Sequence, residues 1–225
     1  AGKTTTIRIA LGLLRPDAGQ ILTFGENPWD NPRIRKRIGV VYERASFPQY
    51  FAVHDYLSRV AEIFACPPGR VDEVLQTVGL GAKDRTIKAL SAGMLQKFSI
   101  AHALIHEPEL VIADEPTASL DPQARSDLLD LILRLNRERG ITFLISSHIL
   151  PELSRVCQSV AIINQGKIYA SGRIQELYER FGVKVVRILT NKPSELAERI
   201  KSLEYVVTAE VRGQDVSVQT KAGLE

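Results

Sequence analysis

Apolar residues follow two rhythms along this chain. Short unbroken runs, at Ile38–Tyr42, Leu110–Ala113, Ile141–Ser146 and Val160–Asn164, have the length of buried strands. Longer stretches repeat every three or four residues and predict helices over Thr4–Leu14, Met94–Ile105 and Pro122–Gly140, the last with Leu128, Leu131, Ile132 and Leu135 on one face. Arg15-Pro16-Asp17-Ala18-Gly19 breaks the first helix and leads into a short strand, Gln20–Phe24. From about Val53 to Gly81 the pattern is mainly helical, interrupted where Cys66-Pro67-Pro68-Gly69 forces a turn. A helix starts near Leu150, and Gln165-Gly166 turns the chain after the last apolar run.

Strands alternating with helices, several of them apolar throughout, predict an α/β fold whose mostly parallel sheet has helices on both faces. Beyond about Gly182 the pattern changes to a strand at Lys184–Thr190, a helix at Ser194–Leu203, and a hairpin of Val206–Val211 with Val216–Gln219 turning at Gly213-Gln214. The expected division is a main domain over 1–182, with a helical insertion at about 48–95, and a small α/β appendage over 183–225.

Composition narrows this little: 44% hydrophobic and 24% charged residues are ordinary for a globular chain. The net charge of +3 is interspersed, with no dense basic block, so no nucleic acid partner is expected. Cys66 and Cys157 match no metal or redox spacing. No apolar run approaches the roughly 18–20 residues of a membrane-spanning helix.

Three segments could carry chemistry. Gly2-Lys3-Thr4 opens a helix, where backbone N–H groups, a lysine and a hydroxyl suit phosphate and Mg²⁺. Alone, that tripeptide is as readily a chance occurrence. Asp114-Glu115 ends an apolar strand, where open α/β sheets bind ligands; alone, it is equally a solvated acidic turn. Ser91-Ala92-Gly93 precedes a helix and reads either as an anion site or as an ordinary cap.

Order makes the pattern specific. Lys3-Thr4, Leu90-Ser91-Ala92-Gly93-Met94, Asp114-Glu115-Pro116, Ser119-Leu120-Asp121 and Ser146-Ser147-His148 follow one another at tight spacing. Over about Ala1 to Gln175 the chain resembles the nucleotide-binding subunit of ABC transporters, matching its Walker A, signature, Walker B, D-loop and switch-histidine motifs. The resemblance implies a P-loop NTPase (RecA-like) fold and two subunits facing head to tail around two ATP molecules. It implies that Gly2, Lys3, Thr4 and Thr5 hold phosphate, that Ser91 and Gly93 reach the partner's ATP, and that Asp121 crosses the interface. Thr4, Asp114 and Glu43 would surround Mg²⁺, Glu115 would take a proton from water, and His148 would contact the γ-phosphate and hold the reactive geometry with Glu115.

The match has departures. Glu43 stands where the family has Gln, and Ala92 where Gly is usual. The resemblance also implies that the family's N-terminal start, with the strand feeding the P-loop and the aromatic residue stacking on adenine, lies before Ala1, so that the chain alone binds ATP weakly or not at all. Implied partners are a second ATPase subunit and a transmembrane permease, with the chain cytoplasmic and peripheral on the inner face of the membrane. The helical insertion, residues 43–50 and the aromatics Phe47, Tyr50, Phe51 and Tyr56 would receive the permease, or those aromatics form subdomain core. Met94, Glu43 and the C-terminal appendage resemble the ATPases of ABC-2-type exporters. A soluble ABC ATPase of translation or chromosomes is the alternative. It is disfavoured by a single cassette and by the lack of heptads between Lys3 and Ser91. A non-catalytic module is disfavoured because Glu115 and His148 are both present.

Overall fold

Three short apolar strands pair side by side in a computed structural model that describes residues 2–43, 46–174, 176–177, 184–190, 192–201, 203, 206–212 and 215–220. They are β1 (Ile38–Val41), β2 (Leu110–Asp114) and β3 (Thr142–Ser146), all parallel, in that order. Register sets Val41 beside Ala113 and Ala113 beside Ile145, with Asp114 opposite Ser146. All three strands therefore leave the sheet at one edge, and the residues that follow them gather there.

Helices cover both faces, as the apolar runs require. The helices are α1 (Lys3–Ala10), α2 (Pro32–Arg35), α3 (Val53–Ile63), α4 (Arg70–Thr77), α5 (Ala92–Leu104), α6 (Pro122–Arg139) and α7 (Leu150–Val156). Alternate residues of β2 divide between the faces. Ile112 packs with Ile7, Leu11 and Ile34 from α1 and its surroundings. Val111 and Ala113 join the larger core with Phe98, Ile100, Leu128 and Leu135. On β1, a Cβ at Gly39 would lie 2.4 Å from the Ala103 carbonyl oxygen, so only glycine admits α5 this close.

In the helical region the expected break at Cys66–Gly69 separates α3 from α4. Arg70, 8% exposed, turns back to the end of α5. It donates to the Leu104 and Ile105 carbonyls at 2.7 and 3.0 Å and pairs with Glu73 at 2.7 Å. Carbonyls at a helix C-terminus lack intrahelical partners, and this cation satisfies two of them.

The chain divides into two compact units, Ala1–Val156 and Cys157–Glu225. This division comes earlier than the 182/183 boundary read from sequence, and places β4 (Ser159–Asn164) and β5 (Lys167–Arg173) with the C-terminal residues. These two form an antiparallel hairpin through the expected Gln165-Gly166 turn. The sequence did not predict β5, because Ile168 and Tyr169 are largely exposed and its alternation is faint. The second unit also holds β6 (Lys184–Leu189), α8 (Pro193–Lys201), β7 (Val206–Arg212) and β8 (Asp215–Thr220), in an antiparallel sheet ordered β6-β8-β7. Its core is Ala197, Ala209, Val216 and Val218. The expected Gly213-Gln214 turn lies outside the described residues.

Two local expectations change. The helix expected through Leu14 stops at Ala10, where the chain turns toward Gly12 and leaves Leu13 and Leu14 exposed. The strand expected at Gln20–Phe24 is a single bridge between Thr23 and Glu26.

Candidate functional site

Gly2 precedes α1 in the left-handed region, with φ of 99°, a conformation that side chains with a Cβ rarely adopt. No side chain caps the N-terminus of α1, and its first turn carries no acid to oppose an anion. Lys3 and Thr4 then project toward the end of β2. The Lys3 ammonium forms an ion pair with Glu115 Oε1. Thr4 Oγ1 donates to Asp114 Oδ2 at 3.0 Å. Thr5 is exposed on the same turn.

β3 completes the arrangement. Ser146 Oγ donates to Asp114 Oδ1 at 2.5 Å and accepts from the Glu115 N–H at 3.0 Å. His148 Nδ1 lies 2.8 Å from Glu115 Oε2. Asp114 is buried and the Glu115 side chain is 13% exposed, whereas His148 is 65% exposed. One half-buried carboxylate thus meets a cation on one oxygen and an imidazole on the other. Burial pushes the Glu115 carboxyl up, but hydrogen bonds from Lys3 and His148 outweigh it, and the group is held below its ordinary value.

Five of the residues read from sequence therefore meet in one network: Lys3, Thr4, Asp114, Glu115 and His148. A second group stands at the starts of α5 and α6. Ser91 caps α5, its Oγ accepting from the Met94 N–H at 3.3 Å. Asp121 caps α6, accepting from Gln123 and Ala124 N–H at 3.0 Å each. A Cβ on Gly93 would lie 3.1 Å from Ala124 Cβ, so the two helix starts adjoin. Glu43 is exposed just beyond β1, at the sheet edge where Asp114 and Ser146 end their strands. The aromatics divide: Phe47 and Tyr56 pack on Phe98 with ring centroids 4.8 and 5.7 Å away, while Tyr50 is 84% exposed.

Ser146 joins the site through Asp114 and Glu115, a role that its place in the histidine motif does not by itself reveal. Its signal is positional, since in a parallel pair of adjacent strands the residue beside Asp114 must face the same site. Thr4 and Asp114 offer hard oxygen donors 3.0 Å apart, a set that fits Mg²⁺. Among the described residues no group of three or more His, Cys, Asp and Glu is placed to hold a metal ion by itself. Among the same residues no helix is long and apolar enough to cross a membrane.

Known proteins bear on this site. The family model described as "ABC transporter" matches residues 1–118. The bacitracin transport ATP-binding protein BcrA of Bacillus licheniformis is 44% identical over 171 residues, covering 75% of this chain and 56% of that protein. The chain thus spans little more than half the length of that relative. The Nod factor export ATP-binding protein I of Rhizobium sp. (strain N33) is 34% identical over 227 residues, covering 98% of this chain and 74% of that protein. The solved structure of cbiO1 from Clostridium perfringens, part of the ABC transporter complex cbiONQ, superposes with a TM-score of 0.71 at 30% identity, covering 79% of this chain and 74% of that one.

Proposed function

Because this chain belongs to the ABC transporter family, we propose that it is an ATP-binding and ATP-hydrolysing subunit that powers a membrane transporter through ATP-driven dimerisation. The observation that carries this reading is Glu115, a half-buried carboxylate placed between the Lys3 ammonium and His148 and next to the Thr4–Asp114 pair. Gly2, Lys3, Thr4 and Thr5 receive the phosphates at the N-terminus of α1, and Lys3 moves from Glu115 to the phosphate oxygens. Losing that cation raises the affinity of Glu115 for a proton, which readies it as a base. A water then attacks the γ-phosphorus and gives its proton to Glu115, while the bond from that phosphorus to the ADP oxygen breaks. His148 stays on Glu115 Oε2 and fixes its orientation. Thr4 and Asp114, with Glu43 nearby, would hold Mg²⁺, which would supply positive charge against the phosphates.

The rest of the proposal extends from the same site. Ser91, Gly93 and Asp121 face a second subunit and complete its nucleotide site. The exposed Tyr50 and the helical region around α3 and α4 meet a transmembrane permease, which makes the chain peripheral on the cytoplasmic side of the membrane. The Nod factor export relative supports an exporter.

Glu115→Gln is the test. Turnover of ATP by the full-length protein is expected to fall at least about 100-fold, the usual contribution of a positioned base. Size exclusion with ATP is expected to show an accumulated dimer. Hydrolysis at the wild-type rate overturns the assignment.

A further inference from the structure

Glu152 lies outside the proposed chemistry, yet it is a charged residue only 8% exposed. Its carboxylate joins three segments. Oε2 accepts from Thr117 Oγ1 at 2.6 Å, and Thr117 itself is 2% exposed in the turn that follows Glu115. Oε1 faces Arg125 Nη1 at 3.1 Å, from the first turns of α6. Arg125 Nη2 in turn donates to the Leu120 carbonyl at 3.2 Å, the residue just before Asp121.

Glu152 is also tied to His148. Its N–H donates to the Ile149 carbonyl at 3.1 Å, and the Ile149 N–H donates to Ser147 Oγ at 3.0 Å, which closes the turn around His148. On the other side, the Ala118 and Leu120 N–H groups donate to the Glu115 and Thr117 carbonyls at 3.2 Å each. The contacts thus form a ring. It runs from Glu115 through its turn to Thr117, across to Glu152, back through Ile149 to His148, and returns to Glu115 at 2.8 Å.

Stability alone is a weak reason for such a pair. Burying the Glu152 charge costs several kcal/mol, and Arg125, with 30% of its side chain exposed, returns only part of that through a partly screened attraction. Here the geometry is also incomplete, since Glu152 Oε1 and Arg125 Nε are buried without an aligned hydrogen bond. What the pair does supply is a fixed distance between the His148 turn and the turn leading from Glu115 to Asp121. We propose that Glu152 is a positioning residue for ATP hydrolysis, which holds His148 on Glu115 and sets the place of Asp121 through Thr117 and Arg125. This rests on the hydrolytic reading above.

The experiment compares Thr117→Val, Glu152→Gln and the double variant in the full chain. Each single change is expected to lower kcat about tenfold while KM for ATP moves less than about twofold, because geometry is lost and binding is kept. The double variant is expected to lose no more than the worse single, since Thr117→Val removes the bond that Glu152→Gln weakens by taking away the carboxylate charge. Unchanged kcat in Thr117→Val, or losses that multiply, overturn the proposal. If Glu152→Gln does not fold, Thr117→Val decides alone, as it only exchanges a hydroxyl for a methyl group. Amide exchange without nucleotide separates this proposal from the hydrolytic reading. Peptides over 116–121 and 147–152 are expected to exchange faster in Thr117→Val, and unchanged exchange refutes the link whatever the ATPase rate.

Discussion

Glu115 carries its side chain on a backbone with φ of 49°, the left-handed region that non-glycine residues seldom occupy. The conformation costs on the order of 1–3 kcal/mol. It also answers a geometric problem. Consecutive strand residues point to opposite faces, so Asp114 and Glu115 could not share a site if β2 simply continued. The turn swings Glu115 out of the strand pattern and onto Lys3 and His148, while Asp114 stays beside Thr4. Ser146 holds this turn, gripping Asp114 Oδ1 and the Glu115 N–H with one hydroxyl. Outer residues that orient a metal ligand are commonly worth 10–100-fold in metal affinity. Ser146→Ala is therefore expected to raise the Mg²⁺ concentration for half-maximal ATP turnover about tenfold. A Mg²⁺ titration of the steady-state rate measures this, and an unmoved midpoint would mean that Ser146 only supports the fold.

Helix α5 serves both the site and the core. Its N-terminus carries Ser91, its middle packs Phe98 and Ile100, and its end meets β1 at Gly39. Gly39→Ala would force a methyl group onto the Ala103 carbonyl, 2.4 Å away. Overpacking of this kind costs about 1–3 kcal/mol, and a urea melt of the variant is expected to show that loss. The same helix carries His102, whose ring lies 5.5 Å from Phe47 and 5.8 Å from Tyr56. Burial, aided by nearby His106, holds its pKa below the ordinary imidazole value. The native state therefore keeps His102 neutral, while the unfolded chain takes up a proton near pH 6.5. Above that pH neither state is protonated and nothing is lost. As pH falls below it the unfolded state binds more protons, and stability declines by at most about 1.4 kcal/mol per pH unit until the native value is reached. The urea midpoint is thus expected to drop between pH 7 and pH 5, and less steeply in His102→Gln. Equal slopes would remove His102 as the cause.

Across the whole molecule, the proposed function needs two copies, and Ser91 offers a way to separate assembly from folding. Aspartate caps a helix about as well as serine. Ser91→Asp is therefore expected to leave the melting temperature nearly unchanged while its charge repels a phosphate brought by the second copy. In a Glu115→Gln background, light scattering with ATP is expected to find monomer, and a persistent dimer would place the contact elsewhere. The division between Val156 and Cys157 is a property of the assembled chain, as is the pairing of β4 with β5, a strand too exposed to announce itself. The amino-acid order by itself determined the strand and helix rhythm, the break before Arg70, and which lysine, hydroxyl, carboxylates and imidazole to consider, because these signals lie within a few neighbouring residues. Only the tertiary structure decided that Ser146 stands beside Asp114, that Glu115 leaves its strand at a positive φ, that Gly39 must lack a side chain, and that Glu152 reaches Thr117 and Arg125. Each of these depends on strand register or on contacts between residues far apart in the chain, and such distances exist only once the sheet has formed and the helices have packed onto it.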